Sequence, residues 1–222
     1  MWSFEELWAR AAARHGEEAL EARLPAIETA HALAALDDDR ALAAMARVVF
    51  SAGFRWSVIE AKWAGFEAAF EGFAPDVVAS FTEQELEALA QDRRIVRNPQ
   101  KIRATVANAH LVVQTAAEHG SFGAFLAAWP EDDVVGLWAW LKAHGNRLGG
   151  DSGPRVLRAL GKDTFILTGD VTRCLTDQQV LTASPSSVKQ QRLAQAAFVS
   201  WRKESGRPLS HLSVIAACTV ER

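Results

Sequence analysis

The chain has 222 residues, 49% of them hydrophobic and 23% charged, enough for one large domain or two small lobes sharing a cleft. No run of 18 apolar residues exists, the start MWSFEELWAR is acidic and amphipathic, and Cys174 and Cys218 are the only cysteines, without metal-type spacing. These features argue against a membrane span, a secretory leader, a disulfide scaffold and a structural zinc, and lead us to expect a reduced, cytoplasmic protein with no metal and no cofactor. The net charge of −3 argues against a strongly basic nucleic-acid binder, but the charge is unevenly placed. Residues 1–90 hold 7 Lys/Arg against 16 Asp/Glu, whereas residues 91–222 hold 17 against 11. A basic segment of that kind suits phosphate contact; the plainer alternative is that opposite charges solvate two faces.

Nearly every stretch predicts helix. Ser3 with Glu6 forms a capping-box pattern ahead of Leu7 and Ala11. Residues 17–47 are rich in Ala, Leu, Glu and Arg, with breaks expected at Pro25 and at Asp37-Asp38-Asp39. Residues 41–50 lead a helix into Ser51-Ala52-Gly53, and a further helix over 55–71 carries Trp56, Ile59, Trp63, Phe66 and Phe70 at spacings of three and four. Thr82 with Glu85 makes a second capping box. Asn98-Pro99 starts a helix bearing Ile102, Val106 and Ala109, Ser121 starts one that ends at Pro130, and residues 133–143 carry Trp138 and Trp140. Ser184-Pro185 reads as an N-cap followed by proline at the first helical position, giving a helix to Glu204 closed by Gly206 and Pro208. Ser210 begins the last. The expected fold class is all-α: a compact, two-lobed bundle of about ten helices, forming a single domain over residues 1–222 with an N-terminal helical segment at 1–50.

Leu148 to Arg173 stands apart. It opens with Gly149-Gly150, reaches Gly153 and Pro154, and continues into a helical run with Val156, Leu157 and Leu160. A glycine-rich turn entering a helix aims free backbone N–H groups at whatever lies in front of it, and Arg155 and Arg158 add positive charge, so phosphate is the natural ligand. An ordinary helix end and loop would give the same composition. The short apolar run Phe165-Ile166-Leu167 then delivers Asp170 to the head of another helix.

This arrangement resembles the helix-hairpin-helix superfamily of DNA glycosylases, with the motif at about 140–165. In that superfamily a glycine-rich hairpin grips one DNA strand and a catalytic aspartate follows about twenty residues later. Residues 52–113 resemble the DNA-3-methyladenine glycosylase I branch in Ala52-Gly53-Phe54-Arg55-Trp56, Phe70, Phe73, Pro75, Gln91-Asp92, Ile95-Val96-Arg97-Asn98, Lys101-Ile102 and Asn108-Ala109. Trp201 to Leu209 is similar to the closing segment of relatives in that group. Two departures mark a divergent branch. The chain has no tyrosine and no zinc-binding set, and Val48 stands where the group places a base-reading glutamate.

The resemblance implies a DNA repair glycosylase that acts on double-stranded DNA as a monomer and hydrolyses the N-glycosidic bond of a damaged, alkylated purine. The target base must leave the stack before its bond can be reached. Trp56 is expected as one wall of the slot, with Phe54 and Phe50 beside it; an aromatic face also attracts a cationic alkylated base. Cleavage builds positive charge on the sugar, which a carboxylate beside C1′ stabilises while orienting water. Asp170 is expected in that role, doubling as a helix N-cap, and Glu60 is the second carboxylate candidate. Gly149, Gly150, Ser152, Gly153 and Arg155 are expected to grip phosphate, with Arg97 and Lys101 adding backbone contacts. Two alternatives stay open: a catalytically inactive lesion-binding protein on a glycosylase fold, and a helical scaffold with no DNA role.

Overall fold

The computed structural model describes residues 1–221, in which every regular element is helical. In chain order the helices are α1 (Phe4–His15), α2 (Glu17–Glu21), α3 (Ala30–Ala34), α4 (Asp38–Ser51), α5 (Trp56–Ala61) and α6 (Trp63–Ala69). After a 3₁₀ turn (Glu71–Phe73) come α7 (Pro75–Ala79), α8 (Glu83–Gln91), α9 (Pro99–His119), α10 (Phe122–Ala128) and α11 (Val134–His144). The last four are α12 (Ser152–Ala159), α13 (Gly169–Asp177), α14 (Val188–Ser205) and α15 (Leu209–Cys218). The all-α expectation holds. There are more helices than the ten expected, because several apolar runs are broken into short pieces. The run expected as one helix over 55–71, for example, breaks at Lys62 into α5 and α6.

The local chemistry explains most boundaries. Both capping boxes form, with Ser3 accepting from Glu6 and Thr82 from Glu85. Asn98 and Ser121 cap α9 and α10 through their side chains. Gly206 closes α14 in the left-handed conformation, at φ 69°. Two starts differ from expectation. Ser187, not Ser184, caps α14, accepting from Gln190 N, and residues 184–187 form a turn held by the Ser184 and Ser186 hydroxyls. The last helix begins at Leu209 after Pro208, and Ser210 is buried inside it.

The chain divides into two compact units. The first gathers Met1–Ile27, Pro130–Trp138 and the chain from Gly161 onward. Its core runs along an aromatic line: Trp138 meets Phe165 edge-on at 4.6 Å, Phe165 stacks on Phe198 at 4.5 Å, and Phe198 meets Trp201 at 5.3 Å. Non-helical residues 162–168 cross this core, so their backbone groups need partners. Helix α15 supplies them. Ser210 Oγ accepts from Thr164 N at 3.1 Å and donates to Thr164 O, while Ser213 Oγ accepts from Ile166 N at 3.0 Å. In return, both carboxylate oxygens of Asp163 accept from the backbone of α15, from Leu209 N at 2.9 Å and Ser210 N at 2.8 Å. Pro208 gives that helix no side-chain cap, so Asp163 caps it from a distance.

The second unit holds Glu28–Trp129 and Ala139–Leu160. Helix α9 runs through it and packs against α4, α7, α8 and α10. Beside it, Phe50, Phe66, Phe70 and Phe73 form a fully buried aromatic cluster. Helix α10 approaches α3 so closely that a Cβ on Gly123 would collide with Leu33 O.

The distant cap yields a prediction. Asp163→Ala removes the acceptor for two N–H groups, which costs about 1–2 kcal/mol. In a chain of this size that lowers the thermal midpoint by roughly 2–8 °C. An unchanged midpoint in a calorimetric scan would show that the cap carries no stability.

Candidate functional site

In the second unit, α4 ends at Ser51 and the chain turns outward through Gly53, which has φ 80° and no atom within 4 Å of where its Cβ would stand. The segment that follows breaks the burial rule. Phe54 is 46% exposed, Trp56 51% and Val58 39%. Three large apolar side chains thus meet solvent within five residues. Leaving half of a tryptophan in water forgoes about 2 kcal/mol of burial. Such clustering differs from scattered surface apolarity and makes this segment a candidate binding surface. Arg55, between them, is exposed as well.

A buried lysine holds the root of this loop. Lys101 is only 5% exposed. Its Nζ donates to Phe50 O at 3.0 Å and to Ala52 O at 2.6 Å, and lies 4.8 Å from the centre of the Phe54 ring. Burial, reinforced by the Arg147 guanidinium, holds its pKa below the usual lysine range. Lys101 was expected at a phosphate; its ammonium instead serves the α4 carbonyls. Phe50 was expected in the base slot; its ring is fully buried against Phe66, and only its carbonyl takes part here. Glu60 follows Trp56 by one helical turn, so the two share a face of α5. Its carboxylate sits 3.5 Å from Arg47 Nε, and the Arg47 guanidinium lies over Trp63 at 4.0 Å.

The glycine-rich turn belongs to the same unit. It joins α11 to α12 and is fastened to α9 by Asn108. That buried amide donates to Asn146 O at 3.1 Å and accepts from Asn146 N at 2.7 Å, imitating a backbone pairing. Arg147 follows with φ 61°, a left-handed conformation unusual outside glycine, and its Nη2 donates to Gln100 at 2.5 Å. Leu148 is buried, and Gly150 takes φ 60°. Two glycines are required by space: a Cβ would lie 2.8 Å from Leu141 O at Gly145 and 2.7 Å from Leu148 O at Gly153. Gly149, Ser152 and Gly153 line the turn and the first residues of α12. Arg155 projects outward, 4.0 Å from Asp151, and Arg97 is exposed ahead of α9.

The expected DNA-facing residues Arg97, Gly149, Gly150, Ser152 and Arg155 are therefore gathered in one unit with Phe54 and Trp56. Asp170 belongs to the other unit. It occupies the first turn of α13, where a negative charge is favourable. The capping role expected of it falls to Thr168, which accepts from Val171 N at 3.3 Å. Asp170 is half-buried, and the segment that delivers it is the one zipped to α15. None of these residues lines the open hollow of about 380 Å³ bounded by Val77, Phe81, Leu89 and Arg94. Among the described residues no cluster of His, Cys, Asp and Glu could hold a metal ion, and no helix is long and apolar enough to cross a membrane.

Sequence reasoning had no role for Gln100, Asp163 or Ser213, and saw Ser210 only as a helix start. One signal was present for Asn108: it falls in the row Lys101, Thr105, Asn108, Val112, Thr115, whose spacing of three and four is that of a buried helix face, yet most of it is polar. Polar side chains on such a face must find partners, and here they do.

In this all-helical unit the root of the aromatic loop and the glycine-rich turn are both fastened by side chains of α9. The profile of the methyladenine glycosylases matches residues 29–171, and the chain belongs to this family. It is 36% identical over 63 residues to DNA-3-methyladenine glycosylase 1 of Escherichia coli (strain K12); the match spans 28% of this chain and 34% of that protein. Among solved structures, 3-methyladenine DNA glycosylase I of Staphylococcus aureus superposes with a TM-score of 0.50 at 26% identity, covering 57% of this chain and 77% of that one. A variant of a 3-methyladenine DNA glycosylase I in complex with 3-methyladenine superposes with a TM-score of 0.54 at 22% identity, covering 68% and 88%, and so attests the shared fold.

The Asn108 clamp can be tested alone. Asn108→Ala leaves the Asn146 N–H and C=O without their partner, which costs about 1–3 kcal/mol. Amide hydrogen exchange at Asn146–Gly150 should accelerate by roughly tenfold or more. Unchanged exchange there would mean the turn is held by something other than α9.

Proposed function

We propose that the protein is a monofunctional DNA glycosylase that removes an alkylated purine, of the 3-methyladenine type, from double-stranded DNA. The observation that carries this reading is the exposed Phe54-Arg55-Trp56 loop in a member of the methyladenine glycosylase family. The relatives named above act on 3-methyladenine, as their names state. A flipped base needs an aromatic face, and stacking on one is worth about 1–3 kcal/mol. That is comparable to the burial energy which the exposed Trp56 ring forgoes in the free protein. A purine alkylated to a cation gains further from the ring's electron-rich face.

In this proposal Trp56 stacks on the base and Phe54 lies beside it. Gly149, Gly150, Ser152, Gly153, Arg155 and Arg97 hold the strand through phosphate, which positions DNA without reading sequence. The N-glycosidic bond breaks with its electron pair leaving on the base, and water adds to C1′ of the sugar. Asp170 stabilises the positive charge that develops at the sugar and orients that water. Glu60, on the same face of α5 as Trp56, is the second candidate for that carboxylate role. The enzyme works as a monomer, as one functional domain, in the cytoplasm.

Release of free bases from methylated duplex DNA tests the reading. The native protein should release 3-methyladenine. Trp56→Ala should slow single-turnover release about 5–150-fold, the equivalent of one lost base stack. Asp170→Asn should abolish release while leaving duplex binding intact. No release by the native protein, with salt-sensitive duplex binding retained, would favour a lesion-binding protein that has lost catalysis. Neither release nor binding would contradict any DNA role.

A further inference from the structure

We propose that Lys101 is a positioning residue: it anchors the root of the aromatic loop and so sets the direction in which Phe54 and Trp56 leave α4. This rests on the reading of that loop as the base slot. Every partner of its ammonium belongs to one short stretch of chain. Two donors reach Phe50 O and Ala52 O, the carbonyls that flank the last residue of α4. The Phe54 ring covers the same ammonium at 4.8 Å. Carbonyls at a helix end need no buried cation, because water satisfies them at an exposed terminus. Burying a charge is costly and is tolerated where its partners are fixed in place.

The carbonyls of Phe50 and Ala52 stand on either side of the point where the helix ends and the loop begins. Holding both fixes the exit angle of the chain immediately before Gly53, which takes φ 80° and, lacking a Cβ, does little itself to restrict the direction of the loop. Lys101 itself is rigidly mounted. It sits in the first turn of α9, its backbone N–H donates to the Asn98 cap at 3.1 Å, and its neighbour Gln100 accepts from Arg147 of the glycine-rich turn. The loop root and the turn are thus referenced to adjacent residues of one helix. Lys101 touches neither base nor phosphate in this assignment; it acts through Phe54 and Trp56.

Trypsin cleavage after Arg55, which is exposed in the loop, reads the anchor without any need for enzymatic activity. Lys101→Met should speed that cleavage by about tenfold or more, as expected where a loop's local opening becomes easier. Cleavage unchanged from native overturns the proposal. If Lys101→Met does not fold, Lys101→Gln is read by the same cleavage, since its shorter side chain cannot reach both carbonyls. The second arm is a double-mutant cycle in single-turnover base release. Lys101→Met should slow release about tenfold with duplex Kd changed less than about threefold, and should add less than about threefold in a Trp56→Ala background, because residues acting through one another are non-additive. Full additivity overturns it, since a general loss of structure would add to the loss of Trp56. Absence of release by the native protein would count against the glycosylase function, while the cleavage result would still decide the anchor.

Discussion

The second unit depends on a buried polar row along one face of α9. Lys101 and Asn108 face inward from that helix, and each holds irregular backbone: Lys101 the end of α4, Asn108 the start of the glycine-rich turn. Irregular backbone in a helical protein is expensive to bury unless its N–H and C=O groups are paired. Two side chains on one rigid helix solve this for both segments. The aromatic loop and the turn therefore share a frame, as is needed if one receives a base and the other holds the strand that carries it.

The first unit uses the same principle with smaller groups. Residues 162–168 run without helical hydrogen bonds through an aromatic core, and the hydroxyls of Ser210 and Ser213 take the place of a neighbouring strand. Asp163 returns the service by capping α15. What emerges from this zipped segment is the first turn of α13 with Asp170 in it. In both units, then, buried side-chain-to-backbone bonds hold the segments from which the proposed functional residues project. Their net worth in stability is small, about 1 kcal/mol each, but leaving any of them unmade is costly, and this gives them their power to specify geometry.

Much of the fold was legible in the sequence because its signals are local. Capping boxes at Ser3 and Thr82, the Asn98-Pro99 start and the Gly206 stop each act within a few residues. The errors arose where distant partners decide. Ser210 reads as a helix start but is a buried hydroxyl, because its partner, Thr164, lies far away in sequence. Lys101 reads as a phosphate contact because lysine is usually exposed; only the tertiary structure shows the carbonyls that draw it inward. Phe50 and Trp56 have the same aromatic character and lie near one another, yet one is fully buried and the other half exposed. Periodicity could not separate them, since α4 ends at Ser51 and Trp56 opens a new helix that buries Ile59 instead.

Stacking on Trp56 is the central claim, and it can be observed without DNA. Free 3-methyladenine titrated into the native protein should quench tryptophan fluorescence saturably, and the Trp56→Phe protein should lose that component while the signal from its remaining tryptophans stays unchanged. Equal saturable quenching in both proteins, or none in either, would contradict a base slot at Trp56.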